Sequence, residues 1–378
     1  MSKYVIRRLV QAIPVLFGIT IVVYAILLAA PGGPTARFAN NPRVTLADKE
    51  QFKKAWGLDQ PWPIQYCRWM GICNPDTQPT VLGTGLILNH IPNPASLIGP
   101  NGWPNFFPTP LSGATNGVFH ADFGVSVQSG EPVVNQITRA ALPTLILAGI
   151  AFIVWISLAL LIGVYSAVKR YSFFDQAATV FAYVGFAMPT FWLGIMLIFT
   201  FAGGLHWLPS GGMTTPRLSP PFGSNDYWVY FGKDPITALI DLGKHLILPV
   251  ITLVAVSVAG DSRFVRASML EALSQDYVRT AKAKGLPGRS VTFKHALRNA
   301  LLPVVTNIGL EIPFLFTGAI ATETVFSWPG IGKLTIDATR EYDYPTLMGV
   351  LLITALLTVL ANLIADIAYA VVDPRIKY

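Results

Sequence analysis

Charge is scarce in this chain. Of its 378 residues only 12% are Asp, Glu, Lys or Arg, whereas 52% are hydrophobic. A soluble domain carries about 25% charged residues, so a soluble globular class is excluded at the outset. Cysteine is also rare. Cys67 and Cys73 are too few for a zinc site, and no His pair stands beside them. The five histidines show no H-E-x-x-H or comparable ligand spacing, and no G-x-S-x-G nucleophile motif occurs. A G-x-x-x-x-G-K-[ST] phosphate loop is missing as well. The 20 acidic residues fall short of the 27 basic ones, leaving a net charge of +7. Such an excess suits nucleic acid, but its distribution along the chain follows a membrane instead.

Long apolar runs are what the chain has. Several reach the ~20 residues that span a bilayer. They are continuous rather than alternating, which argues against a β-barrel. The expected fold class is an all-α polytopic membrane protein. Its first run, Leu9–Ala30, follows Lys3, Arg7 and Arg8. It exceeds the roughly 7–15 residues of a signal-peptide core and reads as a retained helix, so residues 1–30 form a tail and first span. Residues 31–140 hold no spanning run and are too long for a bare loop. Within them, Val44–Trp56 reads as a helix capped by Thr45 and stopped by Gly57. Ser126–Ala141 reads as an amphipathic approach to a second span, Leu142–Tyr165.

Residues 141–378 hold five more expected spans. After Lys169 and Arg170 the third runs from about Phe174 to Ala202, with Pro189 as a tolerated kink. Leu246–Ala259 is only 14 apolar residues and by length alone suits a re-entrant helix. If it did not cross, however, Arg263, Arg266, Arg279, Lys282, Lys284, Arg289, Lys294 and Arg298 would all lie outside, inverting the positive-inside pattern. It therefore crosses, and its inner end continues as a cytoplasmic helix. Leu301–Thr322 and about Pro345–Val371 complete six spans with both termini cytoplasmic.

The basic island is the most distinctive stretch. Leu270, Leu273, Tyr277, Ala281 and Gly285 recur at spacings of three and four, giving an apolar-to-small face. Pro287-Gly288 then breaks the helix. A short helix with such a face suits insertion into a cleft on a soluble partner; a loop that merely binds anionic lipid head groups is the alternative. Two acids fall within expected spans, Glu311 and Asp366. An intramembrane carboxylate is costly and faces a bundle interior or water. Glu311 is thus a candidate to line a pathway and meet a cationic amine, or else to contact a neighbouring helix. Asp366, near the inner end, can pair with Arg375. Phe326, Trp328 and Pro329 mark an external turn, read either as a gate or protein contact or as an interfacial aromatic anchor. Cys67 and Cys73 can close a short disulfide if their segment lies outside the cytoplasm.

The stretch Asp276-Tyr277-Val278-Arg279-Thr280-Ala281-Lys282-Ala283-Lys284-Gly285-Leu286, followed by Lys294 through Pro303, closely resembles the coupling loop of ABC-transporter permeases of the dipeptide/oligopeptide/nickel import family. Arg279 and Thr280 replace the Glu and Ala that open the broader importer signature. The resemblance extends to Arg7-Arg8-Leu9, Asp122-Phe123-Gly124, Phe191-Trp192-Leu193-Gly194 and Leu208-Pro209-Ser210-Gly211-Gly212. It also takes in Glu323-Thr324-Val325-Phe326, Pro329-Gly330-Ile331-Gly332 and Asp373-Pro374-Arg375. An insertion near 71–120 departs from it. The resemblance implies a cell (inner) membrane permease whose coupling loop, 263–300, docks on a partner. The implied partners are a second homologous permease, two ATP-binding subunits or domains carrying ATP and Mg, and an extracytoplasmic substrate-binding protein. No cofactor on this chain and no nucleic acid are implied. The implied cargo is a di- or oligopeptide, with nickel complexes, glutathione or oligosaccharides as alternatives. An ion-coupled carrier or membrane enzyme is the alternative from a different class.

Overall fold

A computed structural model describes residues 2–29, 50, 60–71, 81–82, 86–87, 118 and 122–372 of the chain. Helix dominates, as a lipid solvent requires, because backbone N–H and C=O groups there must be satisfied within the segment. The helices are α1 (Ser2–Ala29), α2 (Trp62–Met70), α3 (Val133–Val168), α4 (Phe173–Ala187), α5 (Thr190–Leu197), α6 (Asn225–Lys233) and α7 (Pro235–Ser274). They continue with α8 (Asp276–Ala283), α9 (Gly288–Ser290), α10 (Leu297–Val325), α11 (Ile331–Arg340) and α12 (Tyr344–Val372). A π turn, Ile198–Gly204, extends α5, and another, Val291–Ala296, joins α9 to α10. Strands β1 (Val81–Leu82) and β2 (Leu86–Ile87) form a small antiparallel ladder within 71–120, pairing Val81 with Ile87 and Leu82 with Leu86. The expected helix Val44–Trp56 lies outside the described residues, apart from the helical Glu50.

Among the described residues, four helices are long and apolar enough to cross a membrane: Ile6–Ala29 of α1, all of α3, all of α7, and Tyr344–Ala365 of α12. A fifth candidate is the pair α4 and α5 with its π extension, bent by 103° at the break. The sequence suggests a tolerated kink at Pro189; the structure breaks the helix there rather than bending it. The ring of Pro189 disfavours helical geometry at the residue before it. Met188 is accordingly extended, at φ −86°, ψ 124°. The short Leu246–Ala259 run lies within α7, whose 40 residues reach ~60 Å, about twice the ~30 Å hydrocarbon core. Asp234 caps its start and Pro235 occupies the first turn.

The chain packs as two units: residues 12–140 with 334–356, and residues 1–11 with 141–333 and 357–378. In the first, Val23, Tyr24 and Leu27 of α1 meet Tyr66, Trp69 and Met70 of α2 and Tyr344, Met348 and Leu352 of α12. Tyr24 donates to Gln65 Oε1 at 3.1 Å, and its ring lies 5.4 Å from that of Trp69. Cys67 of α2 is disulfide-bonded, while Cys73 lies outside the described residues. Buried Asp343 accepts from Ser126 Oγ, Val127 N and Thr346 Oγ1. It thereby ties the stretch ahead of α3, a turn bridged at Val125 and Pro132 rather than an amphipathic helix throughout, to the start of α12.

In the second unit α3, α7 and α10 pack as long rods. Leu147, Ala151, Trp155 and Ala159 place one buried stripe of α3, at a spacing of four, against Leu246, Val250 and Val254 of α7. Further along, Gly163 lets the two backbones approach closely. A Cβ there would stand 2.6 Å from Val265 Cβ and 2.7 Å from the Ser262 carbonyl. Small residues at a crossing are how membrane helices gain packing without a hydrophobic drive. Replacing Gly163 with Leu overpacks this crossing and is expected to cost about 1–3 kcal/mol, read as a lowered melting temperature in detergent. Gly149→Leu is the control and leaves melting unchanged, because nothing lies within 4 Å of its Cβ.

Candidate functional site

Two constellations in the second unit use the residues singled out in the sequence. The first is the basic island. After α7 ends at Ser274, Gln275 turns extended and α8 begins. Val278 and Ala281 of α8 are buried with Val265, Met269 and Ala272 of α7, Val164 and Ala167 of α3, and Val291, Ala296 and Ala300 beyond the turn. The buried face of α8 is therefore Val278–Ala281, whereas Tyr277 is exposed, on the side left for a partner. Ala281, expected to receive a partner, instead fills the chain's own core.

What remains open to a partner is Asp276, Tyr277, Arg279, Thr280, Lys282, Ala283, Lys284, Gly285 and Leu286, all exposed. Arg279 reaches Asp276 at 3.4 Å with both side chains in solvent, an arrangement of little energetic worth. The helix closes through Gly285 N to Lys282 O and Leu286 N to Ala281 O. Gly285 sits at φ +72°, yet nothing lies within 4 Å of a Cβ there. Its constraint is backbone handedness rather than space.

A pair the sequence did not single out fixes the base of this island. Arg266 grips Asp175 with two bonds, Nε to Oδ1 at 2.6 Å and a terminal nitrogen to Oδ2 at 2.8 Å. Asp175 is buried and also accepts from Tyr171 N. The pair ties the start of α4 to the extension of α7. The only local signal was Ser172 three residues before Asp175, a helix-start pattern, and Ser172 does accept from Asp175 N.

The second constellation gathers the recognised motifs at the opposite ends of the rods. Phe326 and Trp328 are 1% and 0% exposed. Trp328 Nε1 donates to the Pro143 carbonyl of α3 at 2.9 Å. The Phe326 carbonyl accepts from Gly212 N at 2.8 Å, and its ring lies against Gly194. A Cβ at Gly211 would stand 2.2 Å from the Phe326 carbonyl oxygen, and one at Gly332 2.6 Å from Ile320 Cα. Glu323, 0% exposed, accepts from Thr144 Oγ1 at 2.7 Å and Lys333 N at 3.0 Å, while Thr144 accepts from Ile331 N. His245 of α7 donates from Nδ1 to the Gly211 and Gly212 carbonyls, and Asp241 one turn earlier accepts from Thr215 and Ser219. This closed corner corrects the readings of Phe326 and Trp328 as an exposed contact and as an interfacial anchor. Only Ser327 and Pro329 of the turn are exposed.

Glu311 lies in α10 and Asp366 in α12, but the side chains of both fall outside those described. Among the described residues no group of three or more His, Cys, Asp or Glu is placed to hold a metal. The two constellations are joined by three helices. Thr144 to Val164 on α3, His245 to Val265 on α7 and Ala300 to Ile320 on α10 each rise ~30 Å, about the hydrocarbon thickness. The arrangement is a mechanical frame with one end closed and the other presenting a small polar helix.

Residues 159–378 match the family model described as "Binding-protein-dependent transport system inner membrane component". Residues 1–81 match "Binding-prot-dependent transport system membrane comp, N-term". The chain is 37% identical over 380 residues to the oligopeptide transport system permease protein AppB of Bacillus subtilis (strain 168), with all of both chains covered. It is 35% identical over 393 residues to the dipeptide transport system permease protein DppB of Escherichia coli (strain K12), covering 100% of this chain and 99% of that one. A dipeptide transport system permease protein DppB from Alkalihalophilus pseudofirmus is 36% identical over 385 residues, again with full coverage of both. The apolar helices and these full-length matches make this chain a multi-pass inner-membrane protein belonging to the binding-protein-dependent transport system inner membrane component family.

Proposed function

We propose that this chain is the permease subunit of an ATP-driven, binding-protein-dependent importer of peptides, crossing the membrane six times with both termini in the cytoplasm. The full-length relatives named as oligopeptide and dipeptide permeases support the cargo class. Counting α10 as the fifth crossing gives six, and the basic residues clustered from Arg263 to Arg298 orient the whole by the positive-inside rule.

The observation that carries the coupling role is α8. One face is locked into the apolar cluster shared by α3, α7 and α10, and the rest is free to dock. A partner ATPase subunit that seizes α8 on closing therefore moves three rods at once, which is how a local event becomes a rigid-body transition. ATP and Mg bind on the two partner ATPase subunits. A second, similar permease completes the pathway, and an external binding protein delivers the peptide. Glu311, on α10 between the two constellations, is the candidate to meet the peptide's ammonium group. Asp366 is the second pathway candidate.

Three outcomes test this reading. Ala283→Trp, on the exposed face of α8, is expected to leave membrane levels unchanged while peptide uptake falls about tenfold or more, the equivalent of ~1.4 kcal/mol at the dock. Full uptake by that variant would remove α8 from the coupling role. Gly285→Asn is expected to retain uptake and Gly285→Val to lose part of it, since Asn tolerates the left-handed conformation and a β-branched residue does not; equal uptake would dismiss the backbone argument. Glu311→Gln should raise the peptide concentration needed for half-maximal uptake, and an unchanged uptake curve would end its pathway role.

A further inference from the structure

We infer that a groove beside the coupling helix binds an anionic phospholipid of the cytoplasmic leaflet. The inference rests on the topology proposed above. The groove has a volume of about 820 Å³ and lies among the last turns of α3, Phe174 of α4 and the segment from Gly288 to Leu301. That volume falls in the ~300–1,000 Å³ range of small-molecule sites.

Two side-chain ladders form its walls. On α3, Leu161 and Tyr165 line the groove four residues apart, and Lys169 follows at the next step. On the other wall Leu301, Leu297, Phe293 and Arg289 recur at the same spacing. The π turn between Val291 and Ala296 carries Phe293 together with Thr292, which also lines the groove. Because α3 runs toward the island and α10 runs away from it, Arg289 in the lining and Lys169, just past the end of α3, fall at the same end of the two ladders.

The chemistry of such a groove is that of an amphiphile with an anionic head. Arg289 is the single charged residue in the lining, and no acid pairs with it among the described residues. From Arg289 to Leu301 the ladder rises roughly 18 Å, close to half of a ~30 Å hydrocarbon core. One end therefore suits a phosphate and the remainder an acyl chain. Leu161, Tyr165 and Phe293 are all exposed in the chain itself, so an acyl chain would cover them. A lipid seated here would bridge α3 to the helix that follows the coupling turn.

The test uses the full transporter complex, purified and equilibrated with equal amounts of phosphatidylglycerol and phosphatidylcholine of the same chain length. Native mass spectrometry then reads the lipid retained. The expected preference for phosphatidylglycerol is about fivefold or more, the scale of one basic side chain at an anionic surface. Arg289→Gln combined with Lys169→Gln is expected to bring retention to parity, and Arg289→Lys to preserve most of the preference. Thr292→Trp, which fills the groove, should lose both lipids without lowering the melting temperature. Equal retention by the unmodified complex, or a preference that survives the double variant, overturns the inference. A photo-crosslinker at Phe293 that captures a protein chain rather than lipid also overturns it and marks a subunit interface. A cysteine at Ser290, probed with a membrane-impermeant thiol reagent, separates the two levels. Labelling from outside overturns the topology itself, whereas labelling from the cytoplasm with no lipid preference overturns this site alone.

Discussion

The closed corner around Phe326 and Trp328 is the constraint on which the rest of the second unit depends. Five separate stretches reach it: α3 through Pro143 and Thr144, the middle of α5 through Gly194, the loop at Gly211–Gly212, α7 through His245, and the end of α10 with the turn into α11. Its polar groups satisfy one another. The buried Glu323 carboxylate takes a hydroxyl and a backbone N–H, and the indole N–H takes a helix carbonyl that would otherwise face only its own turn. A buried polar group without a partner costs more than the hydrogen bond it loses. The corner is therefore cooperative, since withdrawing one member strands the others.

Fixing one end of the frame determines what the other end can do. With α3, α7 and α10 joined at the corner, displacement of α8 cannot be absorbed locally. Val278 and Ala281 share a core with all three rods, and dense interiors transmit strain rather than dissipate it. The Asp175–Arg266 pair adds α4 to the same assembly at the basic end. It is partly shielded from water, so screening by salt weakens it less than it weakens the exposed Arg279–Asp276 pair.

Much of this was legible before any coordinates. Apolar run length pointed to helices long enough to cross a membrane, and charge asymmetry placed the short Leu246–Ala259 run within a longer helix; α7 carries that run in a helix long and apolar enough to cross. The motifs were recognisable as words, but their meaning was not. Leu208–Gly212 lies more than a hundred positions before the stretch from Glu323 to Gly332, and the two meet only in three dimensions, where the glycines are spaces for backbone and carboxylate. Periodicity alone ran one partner-facing side from Leu270 and Leu273 through Tyr277 to Ala281, because it cannot sense the extended turn at Gln275 that resets the helix phase; the structure exposes Tyr277 and buries Ala281. Aromatic residues in a loop read as exposed because loops usually are, yet here the loop folds under the rods. Asp175 and Arg266 stand 91 positions apart, beyond the reach of any local pattern. Pro189 was visible, but whether it bends or breaks a helix depends on what its two arms pack against.

That break bears on how the protein is made. Each arm, Phe173–Ala187 and Thr190–Gly204, is shorter than the ~20 residues a bilayer-crossing helix needs. Neither would partition stably into lipid as an independent rod during synthesis. Gly185 packs against Ala255 and Ala259 of α7, and Gly194 against Phe326, both of which emerge from the ribosome later. The angled pair therefore acquires its final seat only once downstream helices arrive. Biogenesis of this region is a folding event within the membrane rather than a sequence of independent insertions.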